Sequence, residues 1–429
     1  MEKSTSRRSF IKSSSLLAGS ALISGFPSIQ TGKEEMLKIA LIGSGKRGAG
    51  AAAQALKTSK NVKLVALADT FRDQLDAAYH SLTRVPGIQD QIDVPEKHKF
   101  VGFDAYQKAT ELADVVLLAT PAPFRPEHFR FAIEAGKHVF MEKPLASDAP
   151  GIRLILETGE LATKKGLNVV VGLQNRYDPG FQEMVKRIHD GMIGDLISAS
   201  TYYNVGRVNL VPRQPGWTEM EYQVRNWRYF NWLWAGSPAG LQIHNDDVVN
   251  WVKGSFPVRV VGNGGRASLH GPDHGDIYDH FYNEYEYEDG FKLNSQIRHI
   301  NGCWNKGGSE FYGTNGHGSL KDGFRDYKGN LIWKYAQKQE NPYQIEHDEL
   351  FAAIRGGKYI NDTEWGAKST MASIMGRMAS HSGQLIEWEK ALASTESIVP
   401  AKLAWDAPPL SLPDENGNYR VPVPGIDKV

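Results

Sequence analysis

Short apolar runs alternate with helix-like segments through the first part of the chain. The runs at 37–42, 62–68, 113–119, 138–141 and 168–172 consist mainly of aliphatic residues and show little polar alternation. Strands that are apolar on both faces are typical of parallel sheets covered by helices. The alternation therefore predicts an α/β fold that begins with a doubly wound parallel sheet of the Rossmann type.

A different pattern follows residue 172. The segment 281–287 alternates apolar and polar residues, as a strand with one buried face does, and long helix-like segments close the pattern near 383. We therefore expect two folded domains, which also agrees with the chain's 429 residues. The predicted divisions are a leader at 1–32, a Rossmann domain at 36–172, a second domain at 173–388 and an extension at 389–429.

A glycine-rich turn follows the first apolar run. Residues 43–48 read Gly-Ser-Gly-Lys-Arg-Gly, the G-x-G-x-x-G pattern of dinucleotide-binding units, and an alanine-rich helix follows. Such glycines make the tight turn, let a pyrophosphate approach the backbone and let helix and strand pack closely. The second apolar run ends in an aspartate at the distance expected for a ribose-binding carboxylate. The candidate cofactor-binding residues here are Gly43, Ser44, Gly45, Arg47, Gly48 and Asp69.

The identity of that aspartate bears on which nicotinamide cofactor is bound. A carboxylate at Asp69 accepts hydrogen bonds from an unmodified ribose and repels the additional phosphate of NADP. The sequence therefore favours NAD. Arg72 lies nearby and could soften the preference, so NADP remains possible.

Candidate chemistry lies after the third and fourth runs. Thr120 and Pro121 follow the third run, His128 lies early in the next helix, and Glu142 and Lys143 end the fourth run. The carboxyl ends of strands in a doubly wound sheet face the crevice that binds ligands. Lys143 is therefore a catalytic candidate, and the others are candidate cofactor contacts. His128 could contact nicotinamide or could simply fill its helix.

A second cluster of ionisable residues lies at 244–247. On a helix, His244 and Asp247 are one turn apart, so the carboxylate could orient an imidazole that transfers a proton. A metal site is the competing interpretation, here or in the segment 274–280, which contains further histidines and aspartates. No recognised ligand spacing is present, so we predict no metal.

Taken together, these motifs resemble the Gfo/Idh/MocA oxidoreductase family. The resemblance rests on the glycine turn, Thr120-Pro121 followed by His128, and the run from Ala135 to the Glu-Lys-Pro at 142–144. It implies a carboxyl-terminal α/β domain with an open, mostly antiparallel sheet, and hydride exchange with a sugar or cyclitol. It also implies that Lys143 lies at the active site.

The resemblance extends to an H-x-x-D motif at His244 and Asp247, with one departure. Relatives such as inositol dehydrogenases carry an aspartate four residues before the histidine, where this chain has Gly240. We therefore expect a proton relay that is assembled differently.

The crossover into the second domain supplies candidate substrate contacts. Arg176 and Tyr177 follow the fifth run and could hold sugar hydroxyls or the cofactor amide, or form a salt bridge between the domains. A long aromatic segment at 204–234 could be a substrate wall or an oligomer contact. We expect a homo-oligomer that acts on a small carbohydrate. We expect no nucleic-acid partner, because the formal net charge is zero.

The leader contains Arg7 and Arg8, followed by a modestly apolar run at 13–26. This order is typical of a twin-arginine export signal, and the run is too short and too polar for a stable membrane span. We expect a periplasmic or otherwise exported enzyme that carries a tightly held NAD. Cys303 is the single cysteine, so no disulfide can form within the chain.

The mechanism that we expect is oxidation of a secondary carbinol. His244, helped by Asp247 and Lys143, would take the hydroxyl proton, and Lys143 would stabilise the developing alkoxide. One alternative is an NAD-dependent glycosidase that works by transient oxidation, elimination and reduction. The other is a sugar- or nucleotide-binding module without catalysis.

Overall fold

A six-stranded parallel sheet occupies the first part of the molecule in the computed structural model, which describes residues 35–428. The twin-arginine leader at 1–32 lies outside the described residues. The strands run in the spatial order β3-β2-β1-β4-β5-β6, as in a doubly wound fold. The strands are β1 (Leu37–Ile42), β2 (Val62–Asp69), β3 (Lys99–Val101), β4 (Val115–Leu118), β5 (His138–Met141) and β6 (Val169–Val171). The helices between them are α1 (Lys46–Thr58), α2 (Arg72–Leu82), α3 (Ala105–Glu111), α4 (Arg125–Glu134) and α5 (Ala149–Lys164).

The predicted strands of this sheet are confirmed. Strands β4 and β6 are buried at every residue, which explains why their sequences show no polar alternation. The sequence did not predict β3, because Lys-Phe-Val is too short to show a period and its last residue is exposed at the sheet edge.

A nine-stranded sheet forms the second part, and its strand order is β14-β13-β12-β11-β7-β10-β9-β8-β15. Its strands are β7 (Leu196–Val205), β8 (Arg259–Gly265), β9 (His280–Glu286), β10 (Lys292–His299), β11 (Lys306–Gly313), β12 (His317–Ser319), β13 (Gly323–Arg325), β14 (Leu331–Trp333) and β15 (Ile386–Glu387). Neighbouring strands are antiparallel except β7 and β10, which run parallel. The expected open, mostly antiparallel sheet is therefore confirmed.

The helices of the second part are α6 (Pro179–His189), α7 (Glu219–Arg225), α8 (Asn231–Trp234), α9 (Ile243–Lys253), α10 (Pro342–Ile354), α11 (Thr363–Ser382) and α12 (Trp388–Ala393). Of these, α9 and α11 pack on the strands of the second sheet, and α11 lies against β8 and β9. Every second residue of β10 is buried, so one face of the strand packs beneath the helices and the other is more accessible. Among residues 35–428, no helix combines the length and the apolar character needed to cross a bilayer.

Two segments from late in the chain pack on distant elements. Leu350 and Phe351 of α10 belong to the same core cluster as Ile39 and Leu41 of β1, so this helix packs against the first sheet. In the extension, Tyr419 is buried and its hydroxyl accepts a hydrogen bond from Arg213 at 2.8 Å. The extension therefore covers this chain's own aromatic segment, and the division into domains at residue 172 stays a prediction.

Candidate active site

The glycine turn between β1 and α1 has little room for side chains at two of its three glycines. A Cβ atom on Gly43 would lie 2.6 Å from the backbone of Ala119, and one on Gly48 would lie 2.0 Å from the carbonyl oxygen of Gly43. Gly43 also has a φ of +90°, which favours glycine. Gly45 is different, because a Cβ there would have no atom within 4 Å. The space over Gly45 lies at the N-terminus of α1 and suits a phosphate group.

The carboxylate of Asp69 at the end of β2 is tied to this turn. It accepts backbone N–H bonds from Ser44 at 2.6 Å and from Phe71 at 2.9 Å. Burial raises the pKa of Asp69, and these hydrogen bonds oppose the rise. The side chain thus holds the glycine turn in shape and also lines the cavity beside it.

A cavity of about 720 Å³ runs along the carboxyl ends of the strands of the first sheet. It contains the glycine turn and Asp69 as well as Glu142 and Lys143. This volume is typical of small-molecule and cofactor sites, and the edge is where doubly wound sheets bind ligands. The residues present therefore fit a dinucleotide that the glycine turn would hold, in a cavity that Lys143 also lines.

Glu142 connects the two regions of this cavity. Its carboxylate accepts a hydrogen bond from Arg47 Nε at 2.5 Å, although 95 residues separate the two in sequence. The guanidinium of Arg47 also lies 4.9 Å from the ring centre of Tyr343. Arg47 is therefore neutralised by the protein, and Glu142 is held at the cavity wall.

Lys143 is the cation that the structure places at the other end of the cavity. Its Nζ donates a hydrogen bond to the carbonyl oxygen of Gly240 at 2.9 Å. Burial lowers the pKa of Lys143 to about 8; Glu142 opposes this shift, and Arg228 adds to it. A lysine with this pKa exists in both protonation states near neutral pH, as a proton-transfer group requires.

His244 lies in the first turn of α9, as the sequence predicted for a helix, but it does not line the cavity. Its Nδ1 is buried and has no hydrogen-bond partner within the described part of the chain. Burial, followed by the charge of Lys143, lowers its pKa well below the ordinary histidine value. The imidazole is therefore neutral and lies near the lysine.

Asp247 does not pair with His244. Its carboxylate receives two hydrogen bonds from Arg176, at 2.8 and 2.9 Å, and one from the hydroxyl of Ser369 at 2.6 Å. The predicted orientation of the imidazole by Asp247 is therefore wrong. The helical spacing is correct, but a guanidinium from the domain crossover reaches the carboxylate.

The predicted substrate contacts Arg176 and Tyr177 also have structural partners. Arg176 pairs with Asp247 and lies 3.9 Å from the ring centre of Trp365, and Tyr177 donates to Asp362 at 2.5 Å. Neither residue lines the cavity. The substrate assignment of these two residues stays a prediction. Arg176 does form a salt bridge, but its partner Asp247 lies within the predicted second domain at 173–388, so the bridge does not join the two predicted domains.

Thr120, Pro121 and His128 line the cavity, as expected. The ring of His128 stacks on Tyr106 at 4.1 Å, and its Nδ1 lies 3.5 Å from the hydroxyl of Thr120. Burial, and then the nearby Arg125, lower the pKa of His128 to about 3. His128 is thus neutral. Its ring packs against Tyr106 and also borders the cavity.

The sequence interpretation missed Arg125. This buried side chain donates to the carbonyl oxygens of Thr120 and Pro144 and so joins the loops that follow β4 and β5. Its signal was its position at the first residue of α4, directly after the Thr-Pro turn. It holds the loop that carries Lys143.

The aromatic segment at 204–234 forms a wall of the cavity, in agreement with the substrate-wall prediction. Trp217, Trp227, Arg228 and Trp234 all line it. A Cβ atom on Gly240 would lie 2.1 Å from Nε1 of Trp234. This indole therefore fills the space where a side chain at position 240 would begin, which explains the glycine there.

The other histidine and aspartate cluster is structural. The carboxylate of Asp279 accepts backbone N–H bonds from 267–269 and a hydrogen bond from His280 at 2.8 Å. Across residues 35–428, no group of three or more His, Cys, Asp or Glu side chains could hold a metal ion.

Comparison with known proteins gives a family match for the first sheet. The model of GFO_IDH_MocA, the oxidoreductase family with an NAD-binding Rossmann fold, matches residues 37–173. An inositol 2-dehydrogenase of Rhizobium meliloti (strain 1021) is 26% identical over 224 residues, 52% of this chain and 57% of that protein. An inositol 2-dehydrogenase of Klebsiella pneumoniae (strain 342) is 32% identical over 158 residues, 37% of this chain and 43% of that protein. The chain thus spans about half the length of these curated relatives.

Solved structures share the fold over a longer range. The aldose-aldose oxidoreductase from Caulobacter crescentus, complexed with glycerol, has a TM-score of 0.63 at 18% identity, covering 82% of this chain and all of that one. The scyllo-inositol dehydrogenase from Lactobacillus casei with bound NAD(H) and scyllo-inositol has a TM-score of 0.63 at 19% identity, covering 83% of this chain. These similarities establish the architecture of both sheets.

Proposed function

Because residues 37–173 match the model of the Gfo/Idh/MocA family of NAD-binding oxidoreductases, we propose that the chain oxidises a secondary hydroxyl of a sugar, glycoside or cyclitol. The observation that carries the proposal is the position of Lys143. Its ammonium group shares one cavity with the glycine turn that suits a dinucleotide. The named dehydrogenases that resemble the chain support this substrate class.

The cofactor-holding residues would be those of the glycine turn, with Asp69 at the ribose. Gly45 leaves space over the N-terminus of α1 for the pyrophosphate. NAD, when bound, supplies the acceptor for the hydride of the carbinol carbon. We propose NAD rather than NADP because the charge of Asp69 disfavours an additional phosphate.

We assign the hydroxyl proton to Lys143 Nζ, which revises the expectation that His244 takes it. Lys143 lines the cavity and His244 does not. With a pKa near 8, Lys143 has a neutral fraction that can accept the proton. The neutral His244 lies behind it as a positioning residue, and the aromatic wall excludes water from the reacting group.

The test begins with the cofactor. Denaturing the purified protein and identifying the released nucleotide checks the NAD assignment, and a screen of monosaccharides, glycosides and inositols with added NAD follows the absorbance of the reduced form. For a substrate that the enzyme oxidises, kcat/KM should rise as the pH increases through about 8, because protonated Lys143 cannot accept a proton. A rate that falls across this range would instead assign Lys143 the role of a cation that stabilises an alkoxide.

The same preparation separates the two remaining alternatives. Repeated cleavage of aryl glycosides without added NAD would indicate a redox-neutral glycosidase, which the comparisons do not support. Sugar binding without any change of nicotinamide absorbance would indicate a binding module. Either result would overturn the proposed net oxidation.

We also propose export through the twin-arginine pathway with the cofactor already bound. The proposal rests on Arg7 and Arg8 and the apolar run that follows them. Changing both arginines to lysine should retain the protein in the cytoplasm, as measured by cell fractionation. Unchanged export would contradict it.

A further inference from the structure

Arg228 lies on the cavity wall opposite the strands of the first sheet. It belongs to a short 3-10 turn at Trp227–Tyr229 within the aromatic segment, and it lines the same cavity as Lys143. Its guanidinium lies 4.2 Å from the ring centre of Trp227. This stacking supports the plane of the guanidinium and leaves its N–H groups available.

Within residues 35–428, the guanidinium of Arg228 has no counter-ion. Among the residues that the structure describes, no hydrogen bond or ion pair is made by its side chain, although it is half-buried. The other arginines of the cavity differ. Arg47 pairs with Glu142, Arg125 donates to two carbonyl oxygens, and Arg225 pairs with Asp73 and Glu221.

The electrostatic surroundings agree with this geometry. Burial lowers the pKa of Arg228, and the group that opposes the shift is the phenol of Tyr229 rather than a carboxylate. Removing a cation from water without a compensating anion is unfavourable. The free protein therefore holds a desolvated positive charge that an anionic ligand would neutralise.

The aromatic wall connects Arg228 with Lys143. Arg228 lies over Trp227, whose ring centre is 6.4 Å from that of Trp234. Trp234 packs on Gly240, whose carbonyl oxygen accepts the hydrogen bond of Lys143.

Arg228 is the strongest of the cations that lower the pKa of Lys143. The strands that end in Asp69 and before Lys143 are separated by β1 and β4, which places their ends about 14 Å apart at the usual strand spacing. Arg228 thus belongs to the part of the cavity where the sugar would react.

We infer that the sugar substrate carries an anionic group, a carboxylate or a phosphate, and that Arg228 binds it. The inference rests on the proposed sugar oxidation and deepens it. The planar fork of an arginine matches both oxyanions with paired N–H bonds, and the aromatic wall beside it suits the C–H faces of a sugar ring. Lys143 is left for the hydroxyl that reacts.

Matched sugars that differ at one carbon test the inference on the NAD-loaded full-length protein. We compare D-glucuronate with D-glucose and D-galacturonate with D-galactose, and add D-glucose 6-phosphate to separate the two oxyanions. The anionic member of a pair should have a kcat/KM at least about tenfold higher. Titration calorimetry of the same sugars gives a second readout that does not require turnover.

The variant Arg228→Gln should reduce the preference for the anionic sugar to nearly none. The readout is the ratio of the two kcat/KM values at one pH, because loss of this cation also raises the pKa of Lys143 and so changes both rates. Arg228→Lys, which retains the charge but loses the fork, should fall between the two. Arg130→Gln, an exposed arginine of α4 paired with Glu127, is the control and should behave as the parent. A melting curve of each variant confirms that it is folded.

Three outcomes would overturn the inference. The neutral sugar could bind and react as well as the anionic one, Arg228→Gln could leave the ratio of the two kcat/KM values unchanged, or it could weaken NAD binding, which would assign Arg228 to the cofactor phosphates. A neutral sugar oxidised in a Lys143-dependent reaction would leave the proposed function standing. Failure of the proposed function would appear differently, as binding of the sugar acid without any oxidation.

Discussion

The two ends of the cavity are built in different ways. At the nucleotide end, Asp69 is satisfied by two backbone N–H groups, and its partner Ser44 lies 25 residues away in sequence. At the sugar end, Lys143 meets Gly240, 97 residues away, and neither Lys143 nor Arg228 has a carboxylate bonded to it within residues 35–428. At the nucleotide end the charged group is hydrogen-bonded to the backbone, whereas the sugar end holds desolvated positive charge.

The difference indicates where binding and where chemistry occur. A preorganised and fully hydrogen-bonded turn binds a cofactor without changing its own charge state. A buried lysine beside another cation exchanges its proton near neutral pH, as shown by the pKa of about 8 for Lys143. We therefore propose that the end with the uncompensated positive charge is the reactive one.

Removal of the reactive charge should have the largest effect. Lys143→Met should lower kcat by about a thousandfold, because it removes the group that accepts the proton, while NAD binding stays near normal. Stopped-flow measurement of NADH formation and a fluorescence titration with NAD check the two parts. The control is Lys164→Met, an exposed lysine at the end of α5. Near-normal turnover in Lys143→Met would contradict the division of the cavity into a binding end and a reactive end.

The ion pair behind the sugar end should matter for stability. Asp247→Ala leaves the half-buried Arg176 without its partner and should lower the free energy of unfolding by about 3 kcal/mol. The exposed pair of Asp190 with Lys186 is the control, and Asp190→Ala should cost at most about 1 kcal/mol. Denaturant unfolding measures both. A stable Asp247→Ala variant without turnover would return Asp247 to the catalytic role that the sequence suggested.

Substitutions of two glycines at the nucleotide end should distinguish an effect on folding from an effect on NAD binding. Gly48→Ala places a methyl group against the carbonyl oxygen of Gly43 and should cost about 1–3 kcal/mol of stability. Gly45→Ala meets no atom of the protein, so it should fold normally and bind NAD more weakly.

Thermal melting without NAD and a titration with NAD distinguish these two variants. Gly50→Ala, one turn further into α1, is the control and should be neutral or slightly stabilising. Equal effects of Gly45→Ala and Gly48→Ala would show that the turn does not divide into a packing glycine and a binding glycine.

The charge of Asp69 should have the smallest effect, one on cofactor preference. Asp69→Asn removes the repulsion of a 2′-phosphate but retains only one acceptor, because Ser44 and Phe71 donate to different carboxylate oxygens. A melting curve of the variant shows whether the turn tolerates this loss. The ratio of NADP to NAD affinity should rise by about tenfold. Separate titrations with the two cofactors measure the ratio, and an unchanged ratio would mean that Asp69 serves only to hold the turn.

Much of the nucleotide end could be predicted because its determinants are local. A strand, a glycine turn and a helix follow one another directly, and the close approach of Gly48 to Gly43 is set by neighbouring backbone. Lys143 could also be predicted, since the end of any strand in a doubly wound sheet faces the same edge. The predicted pairing of His244 with Asp247 was wrong, because helical spacing shows only which side chains share a face and not which distant residue reaches them.

The amino-acid sequence alone specified the alternation of strands and helices, the dinucleotide turn and the position of Lys143, all of which follow from short-range periodicity and backbone geometry. The tertiary fold decided that Arg176 rather than His244 bonds to the carboxylate of Asp247 and that Trp234 excludes a side chain at Gly240. It also decided that Arg228 lines the cavity without an ion-pair partner among residues 35–428. These contacts join elements that are far apart in sequence. Their partners depend on how two sheets and their helices pack, which no local pattern encodes.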